Sequence, residues 1–271
     1  MSSQADSGVM SGPGPAAGSG AESGGPSAGI DRLAPTRRPG GHPVGYQRWR
    51  ALSFLHWRVP ASVLRPLVPA ELALDDFGGS CFVGLVPFTM HGVRPAWAPS
   101  VPWLSHFHET NVRTYVHLYG RDPGVWFFSL EAANRLAVWL ARRGWGLPYH
   151  HARMSLSMAA DGRIDYASTR RAGGAICNVT ALPLTAPAAV APGTLEHFLI
   201  ERYVLYAVRG GRLHQGRIHH APYPVQKARV VGYEETLLAA AGIPRAGEPI
   251  GHYASGVDVE IFRLKAVARG G

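Results

Sequence analysis

The sequence predicts a mostly-β chain of the α+β class, a single domain built on one curved antiparallel sheet or barrel with a few short helices. Three observations predict it. From residue 46 onward, runs rich in β-branched and aromatic residues alternate with Gly-, Pro- and Asp-bearing turns. Only one stretch, 131–143, sustains an apolar stripe at helical spacing. The 271 residues can bury a core that needs no disulfide frame. The only two cysteines, Cys81 and Cys177, lie far apart and show neither CxxC nor Cys/His zinc spacing, so they read as small buried hydrophobes in a reducing cytoplasm.

Residues 1–30 contain 23 Gly, Ser, Ala or Pro. Such a composition cannot bury enough surface to order itself. With the similar character of 31–44, it predicts a disordered tail over 1–44, followed by one domain over 45–266. The tail lacks the basic and apolar regions of a signal peptide, and no run of about 18 apolar residues predicts a membrane span.

Residues 46–59 read as a strand, and Pro60 opens a short helix that ends before Pro69. Trp57 and His56 near the strand's end read as a packed ring and a hydrogen-bonded one. Residues 72–76 and 80–90 read as hairpin arms around Phe77-Gly78-Gly79. Residues 91–104 form a long loop with Trp97 and Trp103 as expected anchors. The strand over 107–119 follows, with a turn at 120–124 and its antiparallel partner at 125–129. In the helix over 131–143, Ala133, Leu136, Ala137, Leu140 and Ala141 make the stripe and Gly144 the stop. Strands are then expected at 151–158, 163–170, 175–181, 202–209, 213–220, 227–234 and 257–264. Thr194 should cap one short helix, and residues 235–241 form another.

A formal charge of +9 raises nucleic acid as a partner. The 27 basic residues are scattered, however, and no recognised nucleic-acid motif is present, so none is expected to bind. All but Lys227 and Lys265 are arginines, which leaves two side chains able to form a Schiff base. His106 with His108, and the pairs His150-His151 and His219-His220, offer too few inward ligands for a metal site. Glycine-rich nucleotide loops, GxSxG and HExxH are missing.

Chemistry concentrates on the strand over 107–119. One parity carries Phe107, Glu109, Asn111, Arg113, Tyr115, His117 and Tyr119; the other is mostly apolar or β-branched. A solvated edge strand and the wall of a polar cavity both fit that split. Asn is depleted in strands and rings are an unusual solvent coat, which favours the cavity. Glu109 and Arg113 lie roughly 13 Å apart along a straight strand, so each needs a partner elsewhere. Further polar groups in apolar strands are Ser129, Glu201, Arg202 and His220.

The runs LSFLHWRVP, LRPLVP, GSCFVGLVPFTM, HETNVRTYV, GVWFFSLEA, LPY, FLIERYVLY and HHAPYP occur in that order. In them the chain resembles the bacterial YqjF-like family, a domain of unknown function numbered 2071. The resemblance implies the fold of acetoacetate decarboxylase, a cone-like β-barrel around a polar cavity. It also implies a cavity glutamate and arginine, the glutamate falling on Glu109. That enzyme's Schiff-base lysine belongs on the next strand, where this chain has Phe128-Ser129-Leu130 and no amine. The Schiff-base route is therefore not carried over.

Together these features predict a cavity for a small anionic or carbonyl-bearing molecule. Glu109 and Arg113 are the catalytic candidates, with Asn111, Tyr115, Ser129, Glu201, Arg202 and His220 as ligand contacts and neither metal nor cofactor. A lyase-like or hydrolase-like enzyme without Schiff-base chemistry is one form of the reading, and a non-catalytic binding or sensing module is the other. Nucleic-acid binding is the weaker third. The oligomeric state stays open, a homo-oligomer included.

Overall fold

The computed structural model describes residues 29–245 and 247–268. Thirteen strands form one sheet system: β1 (Gly45–Val59), β2 (Ala73–Leu74), β3 (Cys81–Pro95), β4 (Phe107–Leu118), β5 (Arg121–Ala132), β6 (Tyr149–Met158), β7 (Ile164–Arg170), β8 (Ile176–Pro183), β9 (Val204–Arg209), β10 (Arg212–His219), β11 (Val225–Glu235), β12 (Ile250–Ile261) and β13 (Lys265–Ala266). Among the described residues five short α-helices accompany them: α1 (Ala61–Leu64), α2 (Pro102–Ser105), α3 (Arg135–Trp145), α4 (Leu195–Ile200) and α5 (Leu237–Ala240). The strand order is β13-β10-β9-β5-β6-β7-β8-β11-β12-β1-β3-β4-β2, and additional β4–β5 and β10–β12 pairings close it into rings. Most pairings are antiparallel; β5 meets β6 and β9 in parallel.

The sheet of β1, β3 and β4 is buried on both faces. One face holds Leu52, Phe54, Val86 and Phe88 with Phe198 of α4. The other packs Leu55, Trp57, Val83, Leu85 and Val112 against Leu237 and Leu238 of α5. Two-sided burial explains the near-continuous apolar runs in β1 and β3. It also excludes a solvated edge for β4, whose residues 109–116 are all buried. Arg121 follows Leu118 across Tyr119-Gly120, both at positive φ, 49° and 76°. This is the two-residue hairpin geometry that favours glycine, and it is tighter than the turn expected at 120–124.

Several expectations change. Residues 72–76 do not pair with 80–90; Ala73 and Leu74 bond instead to His117 and Val116 of β4. The tight turn at Phe77–Ser80 stays, as an isolated bridge. The helix expected over 131–143 begins later, because the Asn134 side chain accepts from the amides of Leu136 and Ala137 at 3.0 Å each and caps it there. It ends at Gly146, in the left-handed conformation at φ 67°, rather than at Gly144. Trp97 and Trp103 anchor nothing, being 88% and 73% exposed.

The disordered tail expected over 1–44 falls, for residues 1–28, outside the described residues. Residues 29–44 have defined contacts. Ala34–Thr36 form a 3-10 turn, Arg32 bonds Asp75, Arg38 bonds Glu260, and Arg217 donates to the Pro35 carbonyl at 3.1 Å. Charged side chains hold a segment whose apolar content alone would not.

Candidate functional site

Alternation along β4 places Glu109, Asn111 and Arg113 on the inner face of the ring, opposite Phe88, Val86 and Gly84 of β3. That face lines a cavity of about 390 Å³. Phe127 and Leu130 of β5, Tyr149 of β6 and Arg202 complete its wall. Its closed end is the buried one: Phe54 is 1% exposed, Tyr223 3%, Arg202 6% and Arg113 9%. Towards the mouth the wall is apolar and part-exposed, with Leu104, Leu140 and Trp145.

α4 sets the two arginines in place. The last carbonyls of a helix have no partner within it. Here the Leu199 carbonyl accepts from Arg113 Nη2 at 3.2 Å and from the Tyr115 hydroxyl at 2.7 Å. Arg202 leaves the helix and turns back, so that its Nε donates to the Phe198 carbonyl at 2.7 Å. Both guanidiniums lie over the Tyr115 ring, at 5.9 Å for Arg113 and 4.8 Å for Arg202.

The two arginines differ in charge balance. Arg202 Nη1 donates to Asp75 Oδ2 at 2.8 Å, and Asp75 also receives Arg32. No carboxylate among the described residues lies within ion-pair range of Arg113. Its Nε is buried without a hydrogen bond, as are Arg202 Nη2 and Asn111 Oδ1.

Glu109 is 2% exposed, and the Tyr149 hydroxyl donates to its Oε2 at 2.8 Å. Burial pushes the carboxyl up to about 8, against the opposing effect of the Tyr149 bond and with a further rise from Glu131. Glu109 is therefore largely a neutral acid at pH 7 and cannot balance Arg113. Burial also raises Tyr149 well above the usual phenol range.

The other expected contacts divide. Tyr115, fully buried, stands behind the arginines rather than on the wall. Glu201 accepts from the Tyr203 hydroxyl at 2.6 Å and from the Tyr223 amide at 2.9 Å. It thus braces two wall tyrosines without lining the cavity itself. His220 supports the same pair, with ring centroids 4.4 Å from Tyr203 and 4.5 Å from Tyr223. Burial lowers its pKa to about 4, so the ring is neutral.

Ser129 is a correction. It pairs with Val112, and directly opposed residues share a face, so its side chain joins the outer side of β4. There its hydroxyl meets Glu131, which Arg170 neutralises. A bulge between Val112 and Arg113 brings Phe127 opposite Arg113.

Tyr149, Tyr203, Tyr223 and Asp75 carried no local signal, since they come from separate parts of the chain, Tyr149 from β6 and the others from connecting segments. His56 was expected to be hydrogen-bonded, yet both its ring nitrogens are buried without a partner, beside Gly84. Burial, reinforced by Arg113, His252 and Arg202, holds that ring neutral. Among the described residues no lysine, serine, cysteine or histidine lines the cavity. Among the described residues no cluster of His, Cys, Asp or Glu is arranged to hold a metal ion.

The fold is that of the acetoacetate decarboxylase-like enzymes. The enduracididine biosynthesis enzyme MppR complexed with pyruvate matches with a TM-score of 0.62 and 11% identity, over 86% of this chain and 93% of that one. An acetoacetate decarboxylase from Legionella pneumophila subsp. pneumophila str. Philadelphia 1 matches with a TM-score of 0.57 and 13% identity, over 86% and 91%. At such identities the likeness is one of fold alone. The family is shown by sequence. The model of a family described as an uncharacterised conserved protein, the domain of unknown function 2071, matches residues 46–258, and the chain belongs to it. The uncharacterised protein YqjF of Bacillus subtilis (strain 168) is 37% identical over 229 residues, covering 84% of this chain and 94% of that protein. No helix among the described residues is long and apolar enough to cross a membrane.

Proposed function

We propose that the chain binds a small anionic or carbonyl-bearing molecule in the cavity, with its acceptor oxygens on Arg113. The observation that carries this is a buried guanidinium that, among the described residues, has no carboxylate in range and one N–H without a partner. A buried charge is costly unless it is paired, and the Arg113 side chain lines the space a ligand would fill. In this reading the closed strand ring forms the cone-like barrel that the resemblance implies. The pyruvate named with MppR is a carbonyl-bearing anion of the class proposed.

Chemistry in this site falls to Glu109. Neutral at pH 7, it serves as a general acid toward a carbonyl or leaving group and, once ionised, as a base. Tyr149 orients one of its oxygens. The absence of lysine, serine and cysteine from the wall that the described residues form favours acid–base chemistry over a covalent intermediate. The same absence is what supports the second reading, a non-catalytic binding or sensing module. A cytoplasmic setting belongs to the proposal, with Cys81 and Cys177 buried and unbonded.

Calorimetric titration with pyruvate and acetoacetate tests it. Arg113→Lys should weaken binding by more than about tenfold, because lysine cannot reproduce a two-pronged carboxylate contact. Glu109→Gln should keep affinity within about tenfold, or roughly 1.4 kcal/mol, while abolishing any turnover. Unchanged affinity in Arg113→Lys overturns the anchor. Turnover surviving in Glu109→Gln overturns the acid, and no turnover of any probe supports the binding module.

A further inference from the structure

The deeply buried charges of the cavity lie at one end, while Gln47 and Arg94 are part-exposed elsewhere on its wall. Arg113, Arg202, Asn111 and Glu109 gather at and beside the closed end. From there to the mouth the wall is largely hydrocarbon, including Met90, Phe107, Leu130, Leu147, Leu205 and Ile218. Arg94 stands at the rim, where its charge lies over the Tyr46 ring at 4.4 Å. A volume of about 390 Å³ falls in the range of roughly 300–1,000 Å³ that holds drug-sized ligands. A three-carbon acid would fill only the charged end and leave apolar wall against water.

The helix over the mouth has the same character. The stripe that reads in the sequence as a core-facing one turns Ala137, Leu140 and Ala141 to the cavity, while Val138 alone of that helix is buried in the core. An apolar face directed into a cavity whose buried charges gather at one end matches a molecule with one charged end and an apolar body.

We infer that the ligand is an amphipathic acid, a carboxylate head at Arg113 carrying an aliphatic or aromatic body that runs along the apolar wall to the underside of α3. This rests on the anion-anchor reading above and extends it to the substrate class.

A chain-length series tests the inference: butanoate, hexanoate, octanoate and 1-octanol, each titrated calorimetrically into the full chain below its aggregation concentration. Each methylene placed on the wall should raise affinity about fourfold, the equivalent of about 0.8 kcal/mol. A negative heat-capacity change should grow along the series. Octanol should bind more weakly than octanoate. In Leu140→Asp, a change on an exposed helix surface, the gain from hexanoate to octanoate should disappear.

Affinity independent of length, or a full gain retained in Leu140→Asp, overturns the apolar body. If the series is flat and Arg113→Lys still weakens butanoate, the anchor stands and only the amphipathic class is lost. If affinity rises with length but octanol equals octanoate and Arg113→Lys changes nothing, the anion anchor fails instead. Absence of binding by every member overturns both.

Discussion

The Tyr149 hydroxyl donates to Glu109 Oε2 at 2.8 Å between two buried side chains, and this bond is the main local influence holding the glutamate's pKa down against burial. Folding raises the carboxyl from 4.5 to about 8, so the folded chain keeps a proton that the unfolded chain releases. Stability from this group is full below about pH 4.5 and falls by about 1.4 kcal/mol per unit as pH rises towards 8, after which it is flat. Glu109→Gln removes this slope. Urea denaturation of both proteins at pH 5, 6.5 and 8 should show the variant gaining on the wild type at each step. A difference that stays constant with pH would contradict a neutral Glu109.

Tyr149→Phe should move the same titration upward, because the lost hydrogen bond favoured the ionised carboxylate. The pH-dependent loss of stability then extends above pH 8. Carbon-13 NMR of the Glu109 carboxyl reads this directly, and a downward shift would be the wrong sign.

Asp75 stands between Arg202 and Arg32 with its side chain fully buried. Asp75→Asn leaves Arg202 uncompensated and should cost about 3–5 kcal/mol by denaturant unfolding. Arg32→Ala should cost less, since Asp75 then still neutralises Arg202. Equal losses would mean that the N-terminal segment, rather than the cavity arginine, is what Asp75 chiefly holds.

Borohydride reduction in the presence of acetoacetate should leave the intact mass unchanged. Lys227 and Lys265 are both exposed, and neither lines the cavity. An adduct on either would restore the Schiff-base route.

Gly84 sits opposite Arg113, and a Cβ there would meet the His56 Cδ2 and Nε2 atoms at 3.1 Å and the Tyr115 hydroxyl at 3.4 Å. Those rings are fully buried. Gly84→Ala should therefore destabilise by about 1–3 kcal/mol through overpacking. Thermal unfolding checks it, and a raised Tm would show that the rings have room.

The inner face of β4 was legible because alternation of period two needs no knowledge of neighbours: Glu109, Asn111 and Arg113 share a parity whatever surrounds them. Ser129 was misplaced because the bulge beside Val112 breaks the register between β4 and β5, and a bulge leaves no clear mark in composition. The α3 boundary slipped because Glu131 and Ala132 suit a helix, yet both are buried in β5 and the Asn134 cap decides the start. Asp75 was hidden by its place beside a turn, where an aspartate ordinarily needs no distant partner. Its two arginines come from 43 residues before and 127 after.

A helix whose stripe looks into a cavity has its folding free energy tied to whatever fills that space. In α3 Val138 is buried and Ala141 and Trp145 pack half-buried against the core, while Leu136, Trp139 and Leu140 are each 42–52% exposed. Occupancy should therefore register as a change in how readily a protease cuts within 135–145, which makes this helix a gauge of loading that can be read without knowing the ligand.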